Sequence, residues 1–189
     1  DLEGARQLIA LDRQVNQKRF AIEADCLATI AMHQPAAGDL RILAAVLEII
    51  GELERMGDYA KGIARINLAM GDEPFIKPLV DIPVMAEKAR DMLHQALEAF
   101  IRRDVALARA IPAQDDEVDA LYNQVYVDLL DIIVCDRNTM GRATYLLWVA
   151  HNLERFADRV TNICERVVFT VTGKMEEMDV KEDRAAGLA

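Results

Sequence analysis

The pattern Leu-Glu-Arg-x-x-Asp occurs twice, at residues 53–58 and 153–158, an offset of 100. Each copy lies in a long segment whose apolar residues recur at helical spacing. Such a repeat constrains the fold more than any other feature. One copy is a supersecondary unit that cannot bury its apolar face alone, so neighbouring copies must stack. The correspondence extends upstream, where Asp1, Asp12 and Asp25 align with Asp104, Asp115 and Asp128 at an offset of 103. The turn before the last helix is therefore three residues shorter in the second copy.

The second copy contains three helical segments, at about 84–102, 105–135 and 142–172, and the first only two, at 2–32 and about 40–70. A helix matching 84–102 is expected before Asp1, and the chain opens without Met, as a fragment does. The expected fold is all-α: two tandem three-helix bundles, the first helix of the first bundle absent from this chain. The expected organisation is a first repeat at 1–72, a linker at 73–83, a second repeat at 84–173 and a frayed tail at 174–189. Asp1, Asp39 and Asp104 are the expected N-caps. Gln34-Pro35, Gly71 and Gly173 end helices, and Pro112 kinks or splits the fourth. Leu8, Leu11, Val15, Ile22, Cys26 and Ile30 form the expected inward stripe of the first helix, with Val84 inward on the third. Tyr145, Leu147 and Trp148 are expected in a bundle core, with a partner-binding patch as the alternative.

The formal charge is −10. No basic patch stands out, which disfavours a nucleic-acid partner and charge-driven binding to anionic lipid. An acidic surface suits cations or a basic patch on a protein. Cys26, Cys135 and Cys164 are far apart among apolar residues, as buried, reduced thiols of a cytosolic protein are. No uncharged apolar run reaches the roughly 18 residues of a spanning helix.

Glu154 and Asp158 place two carboxylates one helical turn apart, and Glu54 and Asp58 repeat the arrangement. Like charges at that spacing repel, and a bound cation relieves the cost. Carboxylate oxygens suit magnesium, manganese or iron. Asp115 and Asp119 form another such pair on the preceding helix, with Asp12 and Asn16 as first-repeat counterparts. Antiparallel neighbours bring these pairs together, giving four oxygen-bearing side chains per repeat. The plainer alternatives are a solvated acidic face with arginine counter-ions and, for Asp115 and Asp119, a helix N-terminus favouring acids. His151 lies beside Glu154, but Gly51 occupies its place in the first repeat. A di-iron carboxylate enzyme needs Glu-x-x-His pairs, and the chain offers only Asp91-x-x-His94. No phosphate loop, nucleophile elbow or Cys/His nucleophile arrangement is present.

Residues 146–173, from Leu146-Leu-Trp-Val-Ala-His-Asn-Leu-Glu-Arg-Phe-Ala-Asp onward, resemble the last helix of the PhoU family. Gln34-Pro-Ala-Ala-Gly-Asp-Leu-Arg41 and Leu53-Glu-Arg-Met-Gly-Asp-Tyr-Ala60 resemble a turn and helix of its first repeat. The resemblance implies two tandem three-helix bundles and a cytoplasmic, non-enzymatic adaptor that represses the phosphate-starvation response. It implies as partners PstB, the ATPase of the phosphate ABC transporter, and the sensor histidine kinase PhoR, so that the membrane is reached only through the transporter, at its inner face. It also implies metal on Glu/Asp-x-x-x-Asp motifs, mapping to Glu54 and Asp58, Asp115 and Asp119, and Glu154 and Asp158. Asp12, Asn16, His151 and Asn162 are additional ligand or hydrogen-bonding candidates. Iron, zinc, manganese and magnesium are the candidate metals. Asn16 and Gly62 depart from the pattern and make the first site the weaker one. A homodimer is expected. The alternatives are a metal-dependent helical-bundle enzyme and a metal-free helical scaffold.

Overall fold

The computed structural model describes residues 1–178. Among them are helices and turns and no strand. The first helix, α1, spans Leu2–His33, capped by the Asp1 carboxylate, which accepts from the Gly4 N–H at 2.7 Å. It ends at Gln34, which takes the left-handed conformation before Pro35. The second, α2, spans Ala37–Met70. Asp39 is not its cap. It lies in the first turn, after an extended Ala36 that makes no side-chain cap. Ala37 and Gly38 precede it in the helix, and an acid in the first turn still favours the macrodipole. Gly71 ends α2 at φ 61°, a backbone angle that glycine adopts without steric cost.

The third helix, α3, runs Asp81–Arg102, three residues earlier than the spacing predicts. Pro83 does not delay it, because the N–H groups of a first turn have no intrahelical acceptor. Beyond Arg103, Asp104 caps a short helix, α4, at Val105–Ala110, accepting from Leu107 N–H at 2.9 Å. Pro112 splits this helix from α5, Pro112–Cys135, whose first position it occupies. A single 3-10 turn, Arg137–Thr139, leads into α6, Met140–Thr172, closed by Gly173 at φ 72°.

The last helix is the hub: α6 packs against α2, α3, α4 and α5, whereas α1 packs on α2. The second bundle holds most of the core. Met85, Ala89, Met92, Ala96 and Ala99 of α3 meet Val160, Ile163, Cys164 and Val167 of α6, all buried. Alanine on the facing positions lets α3 approach α6 closely. The α1 stripe does not follow the expectation. Leu8, Leu11, Val15 and Ile22 are exposed, and Cys26 is buried. With one neighbouring helix, α1 has only one covered side. Val84 is exposed as well, and Met85 takes the inward position. Cys135, at the last turn of α5, is exposed rather than buried.

α2 and α6 run antiparallel. Arg41 lies against Gly173 and Gly62 against Asn152. Between them, Tyr59 accepts a hydrogen bond from Arg155, and Glu52 pairs with Arg159 at 3.6 Å. Residue numbers fall along one helix as they rise along the other. The two helices are also copies of one motif, and these contacts centre on Gly57 and Ala157, so a local two-fold relates the two segments. The segment between the repeats is tied to the second bundle. Lys77 Nζ lies 2.5 Å from Asp128 and 3.7 Å from Asp81, and Arg142 donates to the Pro74 carbonyl at 3.2 Å.

Candidate functional site

Each repeat carries an acidic face where its last helix meets the preceding one. In the second repeat these helices are α6, with Glu154 and Asp158, and α5, with Asp115 and Asp119. Asp115 is only 2% exposed, because Val118 and Ile111 hold that turn of α5 in the core. Burial, and then the charges of Glu154 and Asp115, push the Asp158 carboxyl up to about 7. Arg155 pulls the other way, and Asp119 adds to the rise. Four carboxylates therefore act on one another here. Arg155 lies 3.5 Å from Asp158 and also donates to Tyr59 across the seam. His151 Nδ1 is 3.6 Å from Glu154, and its ring sits near those of Tyr122 and Trp148, with centroids 6.1 and 6.4 Å away. Burial, and then the Glu154 charge, raise the Tyr122 phenol above its ordinary value. Asn162 is half-buried, one turn beyond Asp158.

The first-repeat face has the same framework and a different charge balance. Lys61 Nζ donates to Asp12 Oδ2 at 2.6 Å and to Asp58 Oδ1 at 3.5 Å. Arg19 Nη1 lies 3.4 Å from Glu54 Oε2. The Asn16 amide turns back to donate to the Asp12 carbonyl at 3.2 Å. Gly62 faces α6: a Cβ there would lie 3.2 Å from Asn152 Oδ1.

Among the described residues, no group of three or more His, Cys, Asp and Glu side chains is gathered to hold a metal ion. The two faces still differ in their fit. The second has hard oxygen donors whose mutual repulsion is visible at Asp158, so its donor chemistry suits a cation. The first does not fit, because an ammonium group already bridges Asp12 and Asp58.

Several residues at these faces escape motif reading: Lys61, Arg19, Tyr59 and Tyr122. The repeat itself carries the signal for the first two, since Lys61 aligns with Thr161 and Arg19 with Tyr122. Trp148 and Tyr145 are not core residues. Trp148 is 57% exposed, and both line a groove of about 320 Å³ with Gly62, Ile66, Thr144 and Asn152.

The fold and its faces define a two-repeat helical protein with an acidic surface on each repeat. The PhoU domain matches residues 1–66 and 82–167, and the chain belongs to the PhoU family. It is 36% identical over 167 residues to the phosphate-specific transport system accessory protein PhoU homolog of Deinococcus radiodurans, covering 88% of this chain and 78% of that one. Against the PhoU of Escherichia coli K12 the identity is 34% over 174 residues, covering 92% and 72%. The crystal structure of PhoU from Pseudomonas aeruginosa superposes with a TM-score of 0.87 at 31% identity, covering 92% of this chain and 84% of that one. The phosphate transport system regulatory protein PhoU from Streptococcus pneumoniae gives 0.85 at 31%, covering 93% and 83%.

Proposed function

We propose that this chain is a non-enzymatic accessory regulator of phosphate transport that works by binding. In this reading it represses the phosphate-starvation response as an adaptor between the transporter ATPase PstB and the sensor kinase PhoR. The observation that carries the reading is the second acidic face, where Asp115, Asp119, Glu154 and Asp158 press like charges together. Family membership and the relatives' accessory role in phosphate-specific transport support it. No helix among the described residues is long and apolar enough to cross a membrane. The protein acts in the cytoplasm and reaches the membrane through the transporter.

A divalent or ferric ion at the second face would be held by Glu154, Asp158, Asp115 and Asp119 and would supply positive charge there. Arg155, 3.5 Å from Asp158, limits the repulsion among these carboxylates. A basic partner surface docks on the same face, directly or after the ion has neutralised it. The test measures PstB and PhoR binding to the wild type and to Glu154→Gln with Asp158→Asn, across salt and with chelator. Binding of the wild type is expected to weaken as salt rises, since exposed charges are screened beyond roughly 8 Å at physiological salt. Direct docking predicts weaker binding by the double variant. Metal gating predicts binding that no longer responds to chelator. If affinity, salt dependence and chelator response are all unchanged, the face is merely solvated and the reading fails.

A further inference from the structure

We infer that Lys61 is the resident cation of the first acidic face, so that this face does not take the metal ion that its motif implies. This rests on the reading of the second face as a cation site, and it concerns what distinguishes the two. Lys61 Nζ lies 2.6 Å from Asp12 Oδ2 and 3.5 Å from Asp58 Oδ1. It thus bridges the two helices of the face, as an ion shared between their carboxylates would. The bridge is sheltered: the side chains of Lys61 and Asp12 are 21% and 12% exposed. Arg19 covers Glu54 from α1 at 3.4 Å, also with little exposure of the carboxylate.

At the equivalent positions the second repeat has Thr161, buried and uncharged, and Tyr122, which faces Glu154. Neither side chain brings a cation. The first face has also lost a carboxylate at Asn16 and an amide at Gly62. All four differences act in the same direction. Two cations are gained, and one negative charge and one amide are lost, so a metal entering the first face would have to expel an ammonium already held at hydrogen-bond distance. An ammonium offers no coordination position, and its tether to the chain holds it beside these carboxylates. The first face therefore keeps two cations, Lys61 and Arg19, against its three carboxylates, Asp12, Glu54 and Asp58, whatever the metal supply.

The experiment titrates Mn²⁺ into the full chain by calorimetry and counts bound ions by electron paramagnetic resonance. Glu54→Gln with Asp58→Asn is expected to leave wild-type Mn²⁺ binding unchanged. Lys61→Thr with Arg19→Tyr, which copies the second repeat onto the first, is expected to gain one Mn²⁺. Adding Asp12→Asn should remove that gained ion. Without metal the copied variant should melt below the wild type, and Mn²⁺ should restore part of the loss. The milder Lys61→Gln should show the same gain in weaker form and guards against a misfolded double variant. Loss of wild-type Mn²⁺ on neutralising Glu54 and Asp58 would overturn the inference, as would no gain in either Lys61 variant. Neutralising Glu154 and Asp158 is scored separately. Unchanged Mn²⁺ there sinks the second-face reading, while the Lys61 variants still decide this one.

Discussion

Asp158 is held between burial, three neighbouring carboxylates and one arginine, and its carboxyl titrates at about 7 in the folded protein. In an unfolded chain an aspartate ionises near 3.9. Over the interval between, the folded chain keeps a proton that the unfolded chain has lost. The stability from that proton is complete below about 4 and is lost as pH rises through 7. Asp158→Asn cannot ionise, so in chelator it is expected to stabilise the protein at pH 8 and to flatten the fall in melting temperature between pH 5 and 8. Discounted for solvent screening, the gain at pH 8 is on the order of 2 kcal/mol. A melt of both proteins at several pH values checks this, and a wild type as stable at pH 8 as at pH 5 would count against it. The acidic positions were legible in the sequence because carboxylates at helical spacing must share a face. Arginine counter-ions that neighbour them on the same helix were legible, but Lys61 was not: it reaches Asp12 across 49 positions, a contact that only the packing of α1 on α2 creates.

The seam between α2 and α6 shows what an element adds to its residues. Glu52 and Arg159 are both largely covered, and Glu52 also receives Arg55 at 3.1 Å. Truncating Arg159 leaves a shielded carboxylate with one partner. Arg159→Ala is expected to cost roughly 1–3 kcal/mol in urea unfolding. Adding Glu52→Ala should cost less than the two single changes together, because the stranded charge is gone. Additive losses would mean that the pair does not couple the helices. Arg90→Ala, at an exposed pair with Asp91, serves as the control and should change nothing measurable. Helix ends were largely readable, since Asp1, Asp104, Pro112, Gly71 and Gly173 act through local backbone chemistry. The start of α2 was missed because Ala37 and Gly38 enter the helix ahead of Asp39, which leaves Asp39 in the first turn rather than at the cap. Tyr145 and Trp148 were misplaced because apolar spacing marks a stripe without saying whether another element covers it.

At the scale of the molecule, α1, α2 and α6 border an apolar groove of about 290 Å³ lined by Leu8, Ile63, Met70, Phe75, Leu146 and Val149. Leu11, Phe20 and Leu27 lie exposed along α1. Apolar surface of this extent favours association. The chain of residues 1–189 is expected to sediment as a concentration-dependent assembly, and Leu11→Glu with Leu27→Glu to shift it toward the monomer. A monomer at all concentrations, equally stable with either surface, would exclude this. The all-α architecture and the repeat were visible in the sequence, because periodicity and offset are properties of the chain itself. The central position of α6 was not, since nothing in a repeat states which copies of its helices will touch.

The axis through the α2–α6 seam has one further consequence. Two copies of a helix crossing antiparallel about a two-fold are the geometry of an isologous dimer. In a dimer of identical subunits, any substitution appears on both sides at once, and the two faces can never differ. Joining the halves in one polypeptide removes that restriction. Lysine at position 61 and threonine at position 161 are an inequality that a dimer of identical subunits could not carry.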